Sequence, residues 1–285
     1  MNENTYLIAM LKEFTINYKT NNCSYPIIPS RTLTSRAVIL IVAYFIALFF
    51  ITLKAQAKPT KTIIVAMYIE PPFSEIVDGK FIGENIDITN ALAAKLGYKT
   101  KFVYCPLARC LSFVQSGQAD MIIAVRKTAI REKFLHYLEP PIKIQKLPLK
   151  FYTLTDNDIT LNHYNDLLSL KVGVLRGASY FDQFDHDTQI TKVALNNHQQ
   201  LIDMLLKGRI DTFLEREESI LPLVDQKIYS TDINLAKFSY DKGVGSYIAV
   251  AKKSSLINEI VDLSKALQHL SHSGELALLL QRSEK

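Results

Sequence analysis

Cysteine, histidine and glycine are too sparse and too scattered in this chain to build most catalytic or metal centres. Three cysteines and six histidines occur in 285 residues. There is no zinc-type CxxC pair. His136, His163, His186, His198, His269 and His272 pair only as His269 and His272, which read as exposed polar positions on one late helical face, so no metal site is expected. No Ser, His and Asp order of a hydrolase triad and no glycine-rich phosphate loop are present, which removes the commonest hydrolase and nucleotide-binding readings. No cofactor is expected. Charge of one sign is also in short supply. The net charge is +5, but the first 57 residues hold five Lys/Arg against Glu3 and Glu13, which leaves about +2 on the rest. No basic run is interleaved with aromatics along one face, so a nucleic acid partner is not expected.

What the chain does have is apolar content, 48% of its residues. That buries a substantial core, at a length where one domain gives way to two. Residues 37–53, AVILIVAYFIALFFITL, run 17 residues without a charge, after Arg31 and Arg36 and before KAQAKPT. Ala55 and Ala57 form the small-x-small pattern that a signal peptidase reads. A retained membrane anchor is the rival, because 17 residues lie at the lower edge of a bilayer span. In either case the cations on the amino-terminal side keep that side in the cytoplasm, and the body after the 1–57 leader is exported. The exported body keeps Cys105 and Cys110, which in an oxidising compartment either bridge over a short loop or stay as buried thiols. No cysteine directly follows the apolar segment, so lipid attachment is not expected.

From residue 58 the pattern alternates strand and helix. KTIIVAMY (61–68) is a β-branched strand, IDITNALAAKLG (86–97) has helical apolar spacing closed by Gly97, and KTKFVYC (99–105) is the next strand. A helix over 107–117 ends at Gly117, and DMIIAV (120–125) is a short buried strand. The second half repeats the device: KVGVL (171–175), a helix expected from Ser179, then a helix, a glycine turn and a strand over 198–215. Gly117 and Asp120 recur as Gly208 and Asp211, both 91 positions on. Such alternation predicts largely parallel sheets covered by helices, in two similar α/β lobes. PIKIQKLPLKFYTL (141–154) leads out of the first half and GVGSYIAVAKK (243–253) leads back, before a last helical region over 256–282. The expected division is a first lobe from 58–145 and 243–285 and a second from 146–242, with a cleft where the carboxyl ends of the parallel strands meet.

EPPFSEIVDGKFIGENIDITNALAAKLG, SGQADMIIAVRKTAIREKFLHYLEPP, LKVGVLRGAS and GRIDTFLE, in this order and spacing, resemble the type II periplasmic solute-binding proteins of the polar amino acid group, family 3, which serve ABC transporters. The resemblance covers roughly 60–284. It implies a bilobed clamp, two α/β lobes joined by two hinge strands, that closes on a small solute. It implies that Arg131 grips a ligand carboxylate with its planar fork of donors. Phe73 matches an aromatic that supports the ligand, and Tyr68 and Glu70 face the cleft. Ser179, with Gly177 and Ala178, opens a helix whose free N–H groups favour an anion, with Arg176 beside it.

The departures from the family pattern bear on the solute. The small, hydroxyl-rich stretch usual before the arginine reads AVRKTAIRE here, with Arg126. The wall aromatic is Leu107, followed by Arg109, and the acid that would pair with an α-amino group is only approximated by Glu215. Arg109, Arg126, Arg131 and Arg176 are expected to point inward, which suits an anionic solute, a dicarboxylate or acidic conjugate, or an amino-acid-like carboxylate. The expectation is a monomeric periplasmic binding protein of a Gram-negative cell, not an enzyme, partnered by an ABC transporter permease and touching the membrane only through its amino-terminal segment. The alternatives are a dehydratase of this fold acting on a cyclic carboxylate through Glu70 or Glu215, and a membrane-anchored ligand sensor.

Overall fold

The computed structural model describes residues 61–224, 229 and 231–281. The apolar segment 37–53, and with it the signal or anchor reading, lies outside the described residues. Among the described residues no helix is long and apolar enough to cross a membrane.

Strand β1 (Thr62–Met67) is the β-branched run read from the sequence, and four of its six residues are buried. Burial of this kind suits a central parallel strand. A hairpin of β2 (Glu75–Val77) and β3 (Lys80–Ile82) leads into helix α1 (Glu84–Lys95), then β4 (Lys99–Tyr104), helix α2 (Leu107–Ser116) and β5 (Met121–Val125). Both β4 and β5 pair in parallel with β1. The short helix α3 (Ala129–Glu132), β6 (Leu135–Tyr137) and β7 (Lys143–Gln145) complete the outward half. The second lobe holds β8 (Leu149–Leu154), β9 (Lys171–Leu175), α4 (Asp182–His186), β10 (Thr191–Leu195), α5 (His198–Leu206), β11 (Thr212–Glu215), α6 (Glu217–Ile220) and β12 (Ile233–Tyr240). Then β13 (Val244–Ala251) returns to the first sheet, ahead of α7 (Ile260–His272) and α8 (Glu275–Leu280).

The first sheet runs β4-β1-β5-β13-β6, with β7 on the start of β13, and the second runs β10-β9-β11-β8-β12. Sheet membership changes between Gln145 and Leu149 and again between Tyr240 and Val244. Both sheets are mixed, where a largely parallel arrangement was expected. The returning strand β13 runs antiparallel to β5 and β6, and β8 runs antiparallel to β11 and β12. Each sheet is buried on both faces. Ile63, Val65, Ile88, Leu92, Leu263 and Leu267 fill one side of the first, and Cys110, Val114 and Ile122 the other. Two clusters, around Phe151 and Phe184 and around Leu201 and Phe213, sandwich the second.

The 91-residue echo has a physical basis. Gly117 (φ +84°) closes α2 and Gly208 (φ +60°) follows α5, both in the left-handed conformation that glycine adopts without strain. Beyond each turn an aspartate clasps the neighbouring strand. The Asp120 N–H donates to the Ile64 carbonyl (2.8 Å) while its Oδ2 accepts from the Ile64 N–H (2.8 Å). Asp211 does the same with Lys171, at 2.9 and 2.6 Å. One start-of-strand device has been built in each lobe.

Candidate functional site

The strands β1, β5, β9 and β11 end at one place between the lobes, where Tyr68 just past β1 and residues of β5, β9 and β11 line a partly open cavity of about 70 Å³. Tyr68, Glu70 and Leu107, with Ala124, Arg126 and Arg131, form the wall from the first lobe. Ala178, Ser179, Tyr180, His198, Glu215 and Arg216 form the wall from the second.

Arg131 sits in α3, whose N-cap Thr128 accepts a hydrogen bond from the Arg131 N–H. Its side chain is 7% exposed. One guanidinium nitrogen donates to the Arg126 carbonyl at 2.8 Å and the other crosses to the Gly177 carbonyl of the second lobe at 2.7 Å. Arg126 crosses in the same way, donating to the Ser179 carbonyl at 3.0 Å. Burial, together with the facing charge of Arg216, pushes the pKa of Arg126 down to about 10. Burial lowers that of Arg131 as well. Removing two cations from water between two lobes is unfavourable unless an anion neutralises them.

The acidic groups are tied to the same walls. Glu70 accepts from the Ser219 hydroxyl across the cleft at 2.8 Å. Glu215 accepts from the Tyr180 hydroxyl (3.3 Å) and lies 3.7 Å from His198 Nε2, an ion-pair distance too long for a hydrogen bond. The His198 Nε2 and the Arg216 Nε are buried without a protein hydrogen-bond partner. Buried polar groups are nearly always satisfied, so two orphans on one small cavity mark a surface made for something polar. Ala124, whose carbonyl accepts from the Tyr68 hydroxyl at 2.9 Å, has φ +60°. A left-handed alanine costs about 1–2 kcal/mol, and strain of this kind gathers at functional sites.

Of the residues singled out in the sequence, the cavity brings together Tyr68, Glu70, Leu107, Arg126, Arg131, Ser179 and Glu215. Phe73, Arg109 and Arg176 lie elsewhere. Phe73 is outside the cavity wall, its ring 4.0 Å beneath the Lys143 ammonium. Arg109 is exposed and lies over Phe113. Arg176 is exposed and turns back onto β10, donating to the Ala194 carbonyl (2.8 Å) and Asn196 (3.2 Å). Of the four arginines expected to point inward, Arg126 and Arg131 line this cavity, while Arg176 lines a larger adjoining one of about 870 Å³ that also includes Arg126 and Arg131. The helix expected from Ser179 starts at Asp182, because the Asp185 carboxylate takes both the Ser179 hydroxyl (2.6 Å) and the Tyr180 N–H (2.9 Å). The anion at this turn is the protein's own side chain. Beyond the expected residues, the cavity wall includes Arg216, Tyr180 and His198, and Ser219 reaches it through Glu70. Arg216 was visible beside Glu215. His198 opens α5 after the N-cap Asn197, and local pattern alone does not bring that helix start to the cleft.

Helix α2 supplies a further contact between the lobes. Cys105 and Cys110 are joined by a disulfide at its first turn. Next to the bridge, Ala108 lies against Gly177 so closely that a Cβ on Gly177 would sit 3.0 Å from the Ala108 Cα.

Two α/β lobes closed over a small polar cavity, joined by two chain crossings, define a bilobed clamp. The family profile of bacterial extracellular solute-binding proteins, family 3, matches residues 63–283, and the chain belongs to that family. No curated protein matches it. Among solved structures, an ancestral arginine-binding protein bound to arginine is similar at TM-score 0.65 and 24% identity, over 79% of this chain and 99% of that one. An amino acid ABC transporter substrate-binding protein from Streptococcus pneumoniae, bound to L-arginine, is similar at 0.63 and 26%, over 78% and 94%. An arginine transport system periplasmic binding protein from Legionella pneumophila is similar at 0.64 and 18%, over 79% and 100%.

Proposed function

We propose that this protein is an extracytoplasmic solute-binding protein that clamps a small anionic or amino-acid-like solute between its lobes and delivers it to an ABC transporter permease. The moving bodies are 58–145 with 243–285, and 146–242, in a monomer. The observation that carries the reading is the excess of guanidinium over carboxylate around the small cavity: Arg126, Arg131 and Arg216 against Glu70 and Glu215. Membership of an extracellular family supports export, and the compartment we propose is the periplasm of a Gram-negative cell. There the 1–57 leader is either removed after Ala57 or kept as an inner-membrane anchor. Amino-terminal sequencing of the protein from cells distinguishes these, with Lys58 first in the cleaved form.

The test of binding is a thermal-shift screen of amino acids, dicarboxylates and small acidic conjugates. A solute at 100 times its dissociation constant stabilises the folded state by about 2.7 kcal/mol. Arg131→Ala is expected to weaken that binding by roughly 100-fold, since hydrogen bonds to charged groups are worth about 1.5–3 kcal/mol each. An unchanged shift in Arg131→Ala removes the carboxylate role, and turnover of a cyclic acid moves the protein to the dehydratases of this fold.

A further inference from the structure

A second cavity of about 210 Å³ adjoins the charged one, and the two share Tyr68, Leu107, Leu175 and His198 in their walls. Its chemistry is different. No Asp, Glu, Lys or Arg lines it. Beyond the shared residues its surface is apolar and aromatic around Tyr104 and Leu223, with amide side chains along one side. Tyr104 ends β4, the edge strand of its sheet, and half of it is open to solvent. His198, buried and with its Nε2 3.7 Å from the Glu215 carboxylate, stands at the junction of the two cavities.

Size separates the roles of the two spaces. At about 10–15 Å³ per water-sized group, 70 Å³ holds about five groups, which is a carboxylate and its neighbouring atoms, and 210 Å³ holds about fifteen more. We propose that the solute has two parts: an anionic head held by Arg126, Arg131 and Arg216, and an uncharged apolar or aromatic tail that passes His198 into this annex. The inference rests on the anionic-solute reading and adds the class of solute to it. A basic tail is disfavoured, because a guanidinium or ammonium entering the annex would lose its water and meet no carboxylate there. The specificity thus differs from that of the similar structures that hold arginine.

The test is titration calorimetry of the purified protein with propanoate, 3-phenylpropanoate and L-arginine, repeated on Tyr104→Ala and Leu223→Asn. Both substituted side chains are partly open to solvent, so folding is preserved. The expected result is that 3-phenylpropanoate binds about tenfold or more tighter than propanoate, the scale of burying an aromatic ring. That ratio falls toward one in both variants, and L-arginine binds more weakly than 3-phenylpropanoate. Equal binding of the two carboxylates, a ratio that survives both substitutions, or tighter binding of L-arginine overturns the annex while leaving the anionic-solute reading in place. No binding of either carboxylate overturns the annex, and if no amino acid, dicarboxylate or acidic conjugate stabilises the protein in the thermal-shift screen, the anionic-solute reading falls with it.

Discussion

His198 differs from the other five histidines in being buried; they are all exposed, His269 and His272 on α7 among them. Burial alone lowers the pKa of an imidazole, since the charged form loses its water. Here the carboxylate of Glu215, with a further contribution from Glu70, outweighs burial, and the net shift is upward. A histidine raised in the folded state stabilises fully below its unfolded value, about 6.5, and that contribution is lost as pH rises through the folded value. The wild-type melting midpoint is therefore expected to exceed that of His198→Gln by more at pH 5.5 than at pH 9. A change of about 1 kcal/mol moves the midpoint by about 2–4 °C at this size. A pH-independent gap would show that His198 stays neutral throughout. Only the tertiary fold could reveal this pair, because His198 and Glu215 come from a helix start and a strand end that local pattern does not bring together.

At the scale of elements, the turn after β9 and the first turn of α2 act as the jaws. Gly177 has φ +85° and no room for a Cβ against Ala108, so Gly177→Ala carries both a conformational and a steric penalty. The φ component costs about 1 kcal/mol in the folded protein. The contact component falls only on the closed form, and solute affinity is expected to drop about tenfold for each 1.4 kcal/mol of it. A Gly177→Ala protein with normal affinity would mean that the jaws meet elsewhere. The sequence carried these elements well: β1, α1, β4, α2 and β5 lie within two residues of their expected ends, because their hydrophobic period and glycine stops are local properties. It was silent on β10, β12 and the small β2-β3 hairpin. Nor does local pattern record where Arg109 and Arg176 turn, both outside the small cavity. Arg109 is settled by the ring of Phe113 one helical turn away, and Arg176 by the Ala194 carbonyl and Asn196 on the neighbouring strand. Long side chains turn toward the partner within reach, and spacing along the chain does not record which partner that is.

For the whole molecule, the two lobes meet through opposed tendencies. Hydrogen bonds from Arg126 to Ser179, from Arg131 to Gly177 and from Ser219 to Glu70 favour closure. The guanidinium of Arg126 facing that of Arg216 opposes it, and this charge is one reason the pKa of Arg126 is depressed. On the proposed anionic-solute reading, an anion between the lobes converts the repulsion into two attractions, which makes solute binding and closure one equilibrium. Substituting Arg216 with Gln removes the second-lobe cation and leaves the fork of Arg131 in place. Ligand-free wild type is expected to be more open at low ionic strength than at high, since salt screens the repulsion. Arg216→Gln is expected to be more closed than wild type and indifferent to salt, with weaker binding of the anionic head. A repulsion of about 1.4 kcal/mol changes the closed population tenfold, enough to alter the radius of gyration read by small-angle X-ray scattering. Scattering curves that coincide for the two proteins at every salt concentration would mean that the facing arginines do not govern the opening of the clamp.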